Sequence, residues 1–201
     1  TFLIDYLVTR VKNEQNTPTK NAGLHNVVLL FKTLSMIESF NLHASSTIIE
    51  SIFSLADNRL RFKDLPDSVR LDVYNVVDYF LRKFSQDLVK SLGYSQIVTG
   101  LSELVNFEKK ASCLLIIFPL ISYISQTWNL SSSELENLFS SFIRYFPIKI
   151  SGLQDDALRL SNEMSSCLSE CIVSNNFYAS LAFPYLIQRI DDHTTISATS
   201  M

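Results

Sequence analysis

The chain has 201 residues, 47% of them hydrophobic, with mean hydropathy +0.16, net charge −3 and pI near 5.6. The acidic balance argues against a nucleic-acid surface, which shows as a basic excess. With only 4 Gly and 5 Pro, strand-rich and dinucleotide-binding folds, which need many tight turns, are excluded as well.

A chain this long forms one domain or a short repeat array and buries roughly 70% of its unfolded surface. The longest apolar run, Cys113 to Ile121, is far short of the ~20 residues that cross a bilayer. The 3 cysteines follow no framework spacing, which points to a reducing compartment. The expectation is a soluble, intracellular, all-α chain, cut from a longer one because it opens on Thr1.

A leading helix is followed by the polar stretch NEQNTPTKNAG, residues 13–23, expected as a flexible loop. From Leu24 to Phe40 an apolar stripe runs through Val27, Val28, Phe31, Leu34 and Ile37 at helical spacing. A second helix spans roughly Ala44 to Leu55. Pro66 opens the next, in a first turn where its missing N–H has no partner to lose. That helix carries Val69, Val73, Val76, Val77, Phe80, Leu81 and Phe84 on one face, with Arg70, Asp78 and Arg82 expected to face away. Asp87 to Val105 reads as further helix, interrupted near Gly93.

From Ala111 to Trp128 the chain is apolar nearly all round, which implies burial on both sides, and Pro119 should kink it. Ser131 with Glu134, and Ser133 with Glu136, are candidate capping boxes. The next helix holds Leu135, Leu138, Phe139, Phe142, Ile143 and Phe146 on one face and stops at Pro147, with Ser140, Ser141 and Arg144 outward. A last pair spans Asp155 to Ser174 and Phe177 to Asp192, and residues 193–201 are expected as a loose tail. Hairpins thus begin near residues 24, 66, 111 and 156, close to the roughly 40–47-residue period of HEAT-type repeats. The fold class expected is an all-α solenoid of about four such hairpins plus a leading helix, spanning residues 1–201 as one array.

Little in this pattern carries chemistry. Cys167 and Cys171 are spaced for a shared metal, but they lie on the core stripe Leu160, Met164, Leu168, Ile172. A closed zinc site needs four ligands, and Cys113, His25, His43 and His193 are scattered, so no metal and no cofactor is expected. No P-loop, GxGxxG, HExxH or G-x-S-x-G motif occurs, and no enzyme is expected. Arg59, Arg61 and Lys63, and Glu108 with Lys109 and Lys110, fill interhelix turns. Solvated loop charge is the plain reading of both sets; a partner contact through Arg59, Arg61, Lys63, Glu108 and Lys109 is the sharper one. The aromatic stretch FSSFIRYFPIKI (Phe139, Phe142, Tyr145, Phe146, Pro147) reads as a packing seam rather than a ligand cage, because only Tyr145 offers a polar anchor.

Four blocks in order also resemble a known family. LPDSVRLDVYNVVDYFL (Leu65 to Leu81) with LVKSLG (Leu88 to Gly93) is similar to a segment of the MMS/Met-type DNA-repair and transcription proteins. LVNFEKKASCLLIIF resembles that family's Glu-Lys-Asp-Pro-Arg-Asn-Leu-Leu signature at Glu108, Lys109, Leu114 and Leu115, while Lys110, Ala111, Ser112 and Cys113 replace its Asp-Pro-Arg-Asn. ELENLFSSFIRYFPIKI matches a further stretch at Leu138, Phe139, Tyr145, Phe146, Pro147 and Ile148. Phe177, Ala182, Phe183, Pro184 and Leu186 follow its proline-kinked leucine helix. The resemblance covers about Leu24 to Asp192 and departs again at KISGLQDDALRL, where the family carries a proline-rich acidic loop.

The resemblance implies a non-catalytic HEAT scaffold of the cytosolic iron–sulfur assembly targeting complex, acting in cytoplasm and nucleus. It implies protein partners, namely a MIP18-type factor, a WD40 propeller protein and apo-protein clients such as helicases and polymerases, with no direct nucleic acid and no membrane. The assembly factors are gathered chiefly by the family's C-terminal repeats, so this region would meet clients. A HEAT adaptor of another class, a transport receptor or chromatin-complex subunit, is the alternative.

Overall fold

The computed structural model of the chain describes residues 42–56, 62, 65–106, 108–148 and 155–198. The leading helix, the 13–23 loop, the Leu24–Phe40 helix and Arg59, Arg61 and Lys63 lie outside the described residues. Within them are eight helices and no strand: α1 Leu42–Ala56, α2 Asp67–Lys83, α3 Ser85–Leu92, α4 Tyr94–Val105, α5 Ala111–Thr127, α6 Ser132–Ile143, α7 Asp155–Val173 and α8 Phe177–Ala198.

Local chemistry sets the boundaries. Pro66 caps α2 in extended conformation (φ −53°, ψ 144°), and its carbonyl accepts from the amides of Val69 and Arg70. Asp67 in the first turn and Arg82 and Lys83 in the last complement the helix dipole. Gly93 separates α3 from α4 at φ 78°, ψ 156°, a region essentially reserved for glycine. Of the two candidate capping boxes, Ser131 with Glu134 forms: the Ser131 amide donates to Glu134 Oε2 at 2.7 Å, and the Glu134 amide donates to Ser131 Oγ at 3.4 Å.

Three boundaries differ from expectation. α6 ends at Ile143 rather than running to Phe146; Tyr145 and Phe146 close a turn onto the carbonyls of Phe142 and Ile143. The residue before a proline is disfavoured in helical conformation, which draws the end back from Pro147. α1 begins at Leu42 rather than at Ala44 and so takes in His43. α8 continues to Ala198, into residues expected as a loose tail.

The helices stack in two layers. α2, α5 and α7 pack side by side in one; α1, α4, α6 and α8 follow one another in the second. The short α3 bridges α2 and α4 and rests on α1. One continuous apolar core runs between the layers, from Ile48 to Ala182. α5 is central: Cys113, Leu114, Ile117, Phe118, Leu120, Ile121 and Ile124 are all buried, and the helix passes through Pro119 unbroken. Gly100 lets α1 approach α4, since a Cβ there would lie under 3.0 Å from the Phe53 ring. Each pair of helices rests on its neighbours, which fits an all-α solenoid. Among the described residues, no helix is long and apolar enough to cross a membrane.

Candidate functional site

The loop between α4 and α5 gathers a dense set of polar contacts among the described residues, and α2 is why. Positions 70, 74, 77 and 81 lie on one helical face, and all four are buried. One of them is Arg70, expected to face away but only 8% exposed. Its guanidinium meets Glu108, whose side chain is fully buried, in a forked pair: Nε donates to Oε2 at 2.9 Å and Nη2 to Oε1 at 3.1 Å. Nη1 donates to the Leu65 carbonyl, and Nη2 also reaches Asp67 Oδ1 at 2.9 Å.

Glu108 is saturated from its other side. Its Oε1 accepts from the backbone amides of Lys109 at 2.9 Å and Lys110 at 2.7 Å. Lys110 Nζ pairs with Asp67 Oδ2 at 3.1 Å. Glu108 is thus neither a solvated loop charge nor an accessible partner contact; the fold turns it inward to hold the loop. A buried carboxylate is tolerated only when its lone pairs are filled in this way. Lys109, its neighbour, stays exposed.

The same loop is held from α6. Tyr145 Oη lies 2.6 Å from the Val105 carbonyl and 2.8 Å from that of Glu108, and Arg144 Nη1 donates to the Asn106 carbonyl at 3.1 Å. From α2, Tyr74 Oη donates to the Leu104 carbonyl at 2.8 Å. α2 and the C-terminal end of α6, from separate parts of the chain, therefore grip the end of α4 and the start of the link to α5. Tyr145 is the polar anchor of the aromatic stretch, and its ring also meets Phe118 edge-on at 5.6 Å.

The electrostatics keep the cluster in one state. The hydrogen bond to Glu108 raises the Arg70 pKa further, against the opposing effect of burial. The hydrogen bond to Lys110 lowers the Asp67 carboxyl. Burial, followed by the Glu108 charge, pushes the Tyr74 phenol well above its usual range and the Cys113 thiol up to about 12. Burial likewise pushes Tyr145 up to about 12. A thiol and two phenols locked in their protonated forms are poor nucleophiles and poor bases at neutral pH. Here they act as hydrogen-bond donors and packing groups.

Phe139 and Phe142 sit on α6 against Tyr178 of α8, forming a triangle with ring centroids 5.4, 5.4 and 5.7 Å apart. Tyr178 Oη shares a 2.7 Å hydrogen bond with Ser125 Oγ, which ties α8 to α5. Phe146 is half-buried and Pro147 exposed. Ser141, expected outward, is buried and donates back to the Leu138 carbonyl at 2.7 Å. Of the cysteine pair, Cys171 is buried with its thiol donating to the Phe118 carbonyl at 3.1 Å, and Cys167 is half-buried. No group of three or more His, Cys, Asp or Glu side chains among the described residues is placed to hold a metal ion.

The comparisons with known proteins agree with one another. The family described as Dos2-interacting transcription regulator of RNA-Pol-II, in its N-terminal model, matches residues 1–199. The MMS19 nucleotide excision repair protein of Drosophila melanogaster is 27% identical over 131 residues, 65% of this chain. The chain spans 13% of the length of that relative. No solved structure matches the chain.

Proposed function

The chain belongs to the MMS19 family of Dos2-interacting transcription regulators, and from that premise we propose that it is a non-catalytic scaffold serving DNA repair and transcription. The observation that carries this reading is the family match over residues 1–199. The name of the fly relative supports the repair side, and the family description the transcription side. α2, α5 and α7 begin at Asp67, Ala111 and Asp155, in equal steps of 44 residues. That is the period of HEAT-type hairpins, whose extended surfaces suit protein docking.

The scaffold works in the cytosolic iron–sulfur assembly targeting complex. It holds MIP18-type and WD40-type assembly factors through the full-length chain and brings apo-helicases and polymerases beside the cluster donor, in cytoplasm and nucleus. Its mechanism is geometric: a stiff array raises the effective concentration of one partner near another. The α4–α5 loop supports this, because its charges are committed to holding helices together rather than to reacting with a substrate. Exposed Lys109, and Arg59, Arg61 and Lys63 before α2, are the partner contacts of this reading.

The second reading is a HEAT adaptor of another class, a transport receptor or a chromatin-complex subunit, and the transcription role in the family description favours the chromatin form. Affinity capture of the tagged full-length protein separates the two. Assembly factors should co-purify in stoichiometric amounts; chromatin or transport factors captured without them would favour the second.

A further inference from the structure

α3 interrupts the simple two-helix hairpin, and its placement builds a groove. Ser85, Gln86, Val89 and Lys90 form one wall, Tyr94 at the start of α4 the floor, and Tyr123, Thr127 and Trp128 at the end of α5 the other wall. The groove is open to solvent, with a volume of about 480 Å³, within the range that holds a drug-sized ligand or a short peptide segment.

The lining is aromatic and donor-rich. The Tyr94 and Trp128 rings lie 5.6 Å apart at a 52° tilt, and Arg82 covers one side of the Tyr123 ring at 4.7 Å. Among the described residues, the Tyr94 and Tyr123 hydroxyls, the Trp128 indole N–H and the Gln86 amide have no side-chain hydrogen-bond partner, whereas the Thr127 hydroxyl donates to the Tyr123 carbonyl. The only charged group in the lining is Lys90. Its ammonium is largely exposed and only loosely paired with Asp87, at 3.9 Å. No carboxylate lines the groove.

We infer that this groove, with Trp128, Tyr94 and Tyr123 as its ring surfaces and Lys90 at its rim, docks an extended acidic peptide segment of a protein partner. Flat aromatic walls accommodate proline or aliphatic side chains of an extended chain. N–H and hydroxyl donors beside one cation suit a carboxylate and the peptide's backbone carbonyls. A nucleic-acid strand fits less well, since its backbone needs a track of cations and the lining supplies one. The inference goes beyond the scaffold reading and stands or falls apart from it, because it is measured as peptide binding and not as cluster assembly.

The groove holds the chain's single tryptophan, so Trp128 emission reports its occupancy directly. The chain is titrated with short labelled peptides alternating Glu with Pro and Leu, with the same peptides carrying Lys for Glu, and with an oligothymidylate. Saturable binding of the Glu peptides, with matching changes in Trp128 emission and label polarisation, is expected. Lys90→Glu, at an exposed position, should weaken it about tenfold with the helical circular dichroism unchanged, and Tyr94→Ala should weaken it as well. The proposal is overturned if no Glu peptide saturates, if the Lys peptides or the oligothymidylate bind as tightly, or if Lys90→Glu leaves the affinity unchanged.

Discussion

Glu108 and Lys109 are adjacent charges in the sequence and read alike there; the fold sends one inward and leaves the other in water. What separates them is Arg70, 38 residues away in sequence. Its inward position was visible in principle, because Arg70 falls on the same face as Tyr74, Val77 and Leu81, but a charge on an apolar stripe gives no hint of its partner. Glu108→Ala should cost about 3–5 kcal/mol in urea unfolding, because it takes from the buried Arg70 guanidinium its forked partner and leaves it only Asp67 and the Leu65 carbonyl. The double change Arg70→Met with Glu108→Leu should recover most of that loss; equal damage from both variants would mean that the pair is not the clamp. Cys113 makes a second prediction. Its thiol titrates from its ordinary 9.0 up to about 12 in the fold, so the unfolded chain loses that proton first as pH rises. Stability is therefore unaffected by this group below pH 9 and declines from there toward pH 12. Denaturant midpoints across that range, under reducing conditions, should fall less steeply for Cys113→Val than for the native chain.

Helix positions were legible because their apolar residues recur at helical spacing, and α2, α5 and α7 begin within a residue of where that spacing places them. The ends were less legible, because they depend on contacts that no local pattern encodes. α6 stops at Ile143, and Tyr145, released from the helix, turns its hydroxyl to two carbonyls of the α4–α5 turn. Tyr178, the third ring of the α6–α8 triangle, carries no sequence signal that would pair it with Phe142. The seam itself can be tested at this scale. Phe142 is fully buried, and Phe142→Ala should lower stability by about 3–5 kcal/mol through the cavity it leaves. Thermal unfolding would check this; an unchanged midpoint would show that the triangle is not a packing seam.

At the scale of the whole molecule, the two-layer stack gives the described helices one continuous core. The family was legible in four ordered blocks, mostly apolar positions such as Leu138, Phe139 and Phe146 that build the layers. The polar positions carried less, and the one most easily taken for a surface contact, Glu108, proved to be part of the frame. No helical period could have revealed the α3 groove, since its two walls come from helices more than thirty residues apart in sequence.

As proposed above, the full-length protein would help deliver iron–sulfur clusters to repair and replication proteins without catalysing a reaction of its own. Incorporation of radiolabelled iron into an immunoprecipitated repair helicase, in cells depleted of the protein, tests it most directly. The scaffold reading predicts a marked fall in helicase-bound iron while the helicase is still synthesised, restored by re-expressing the full-length chain. Undiminished iron incorporation after complete depletion would contradict it.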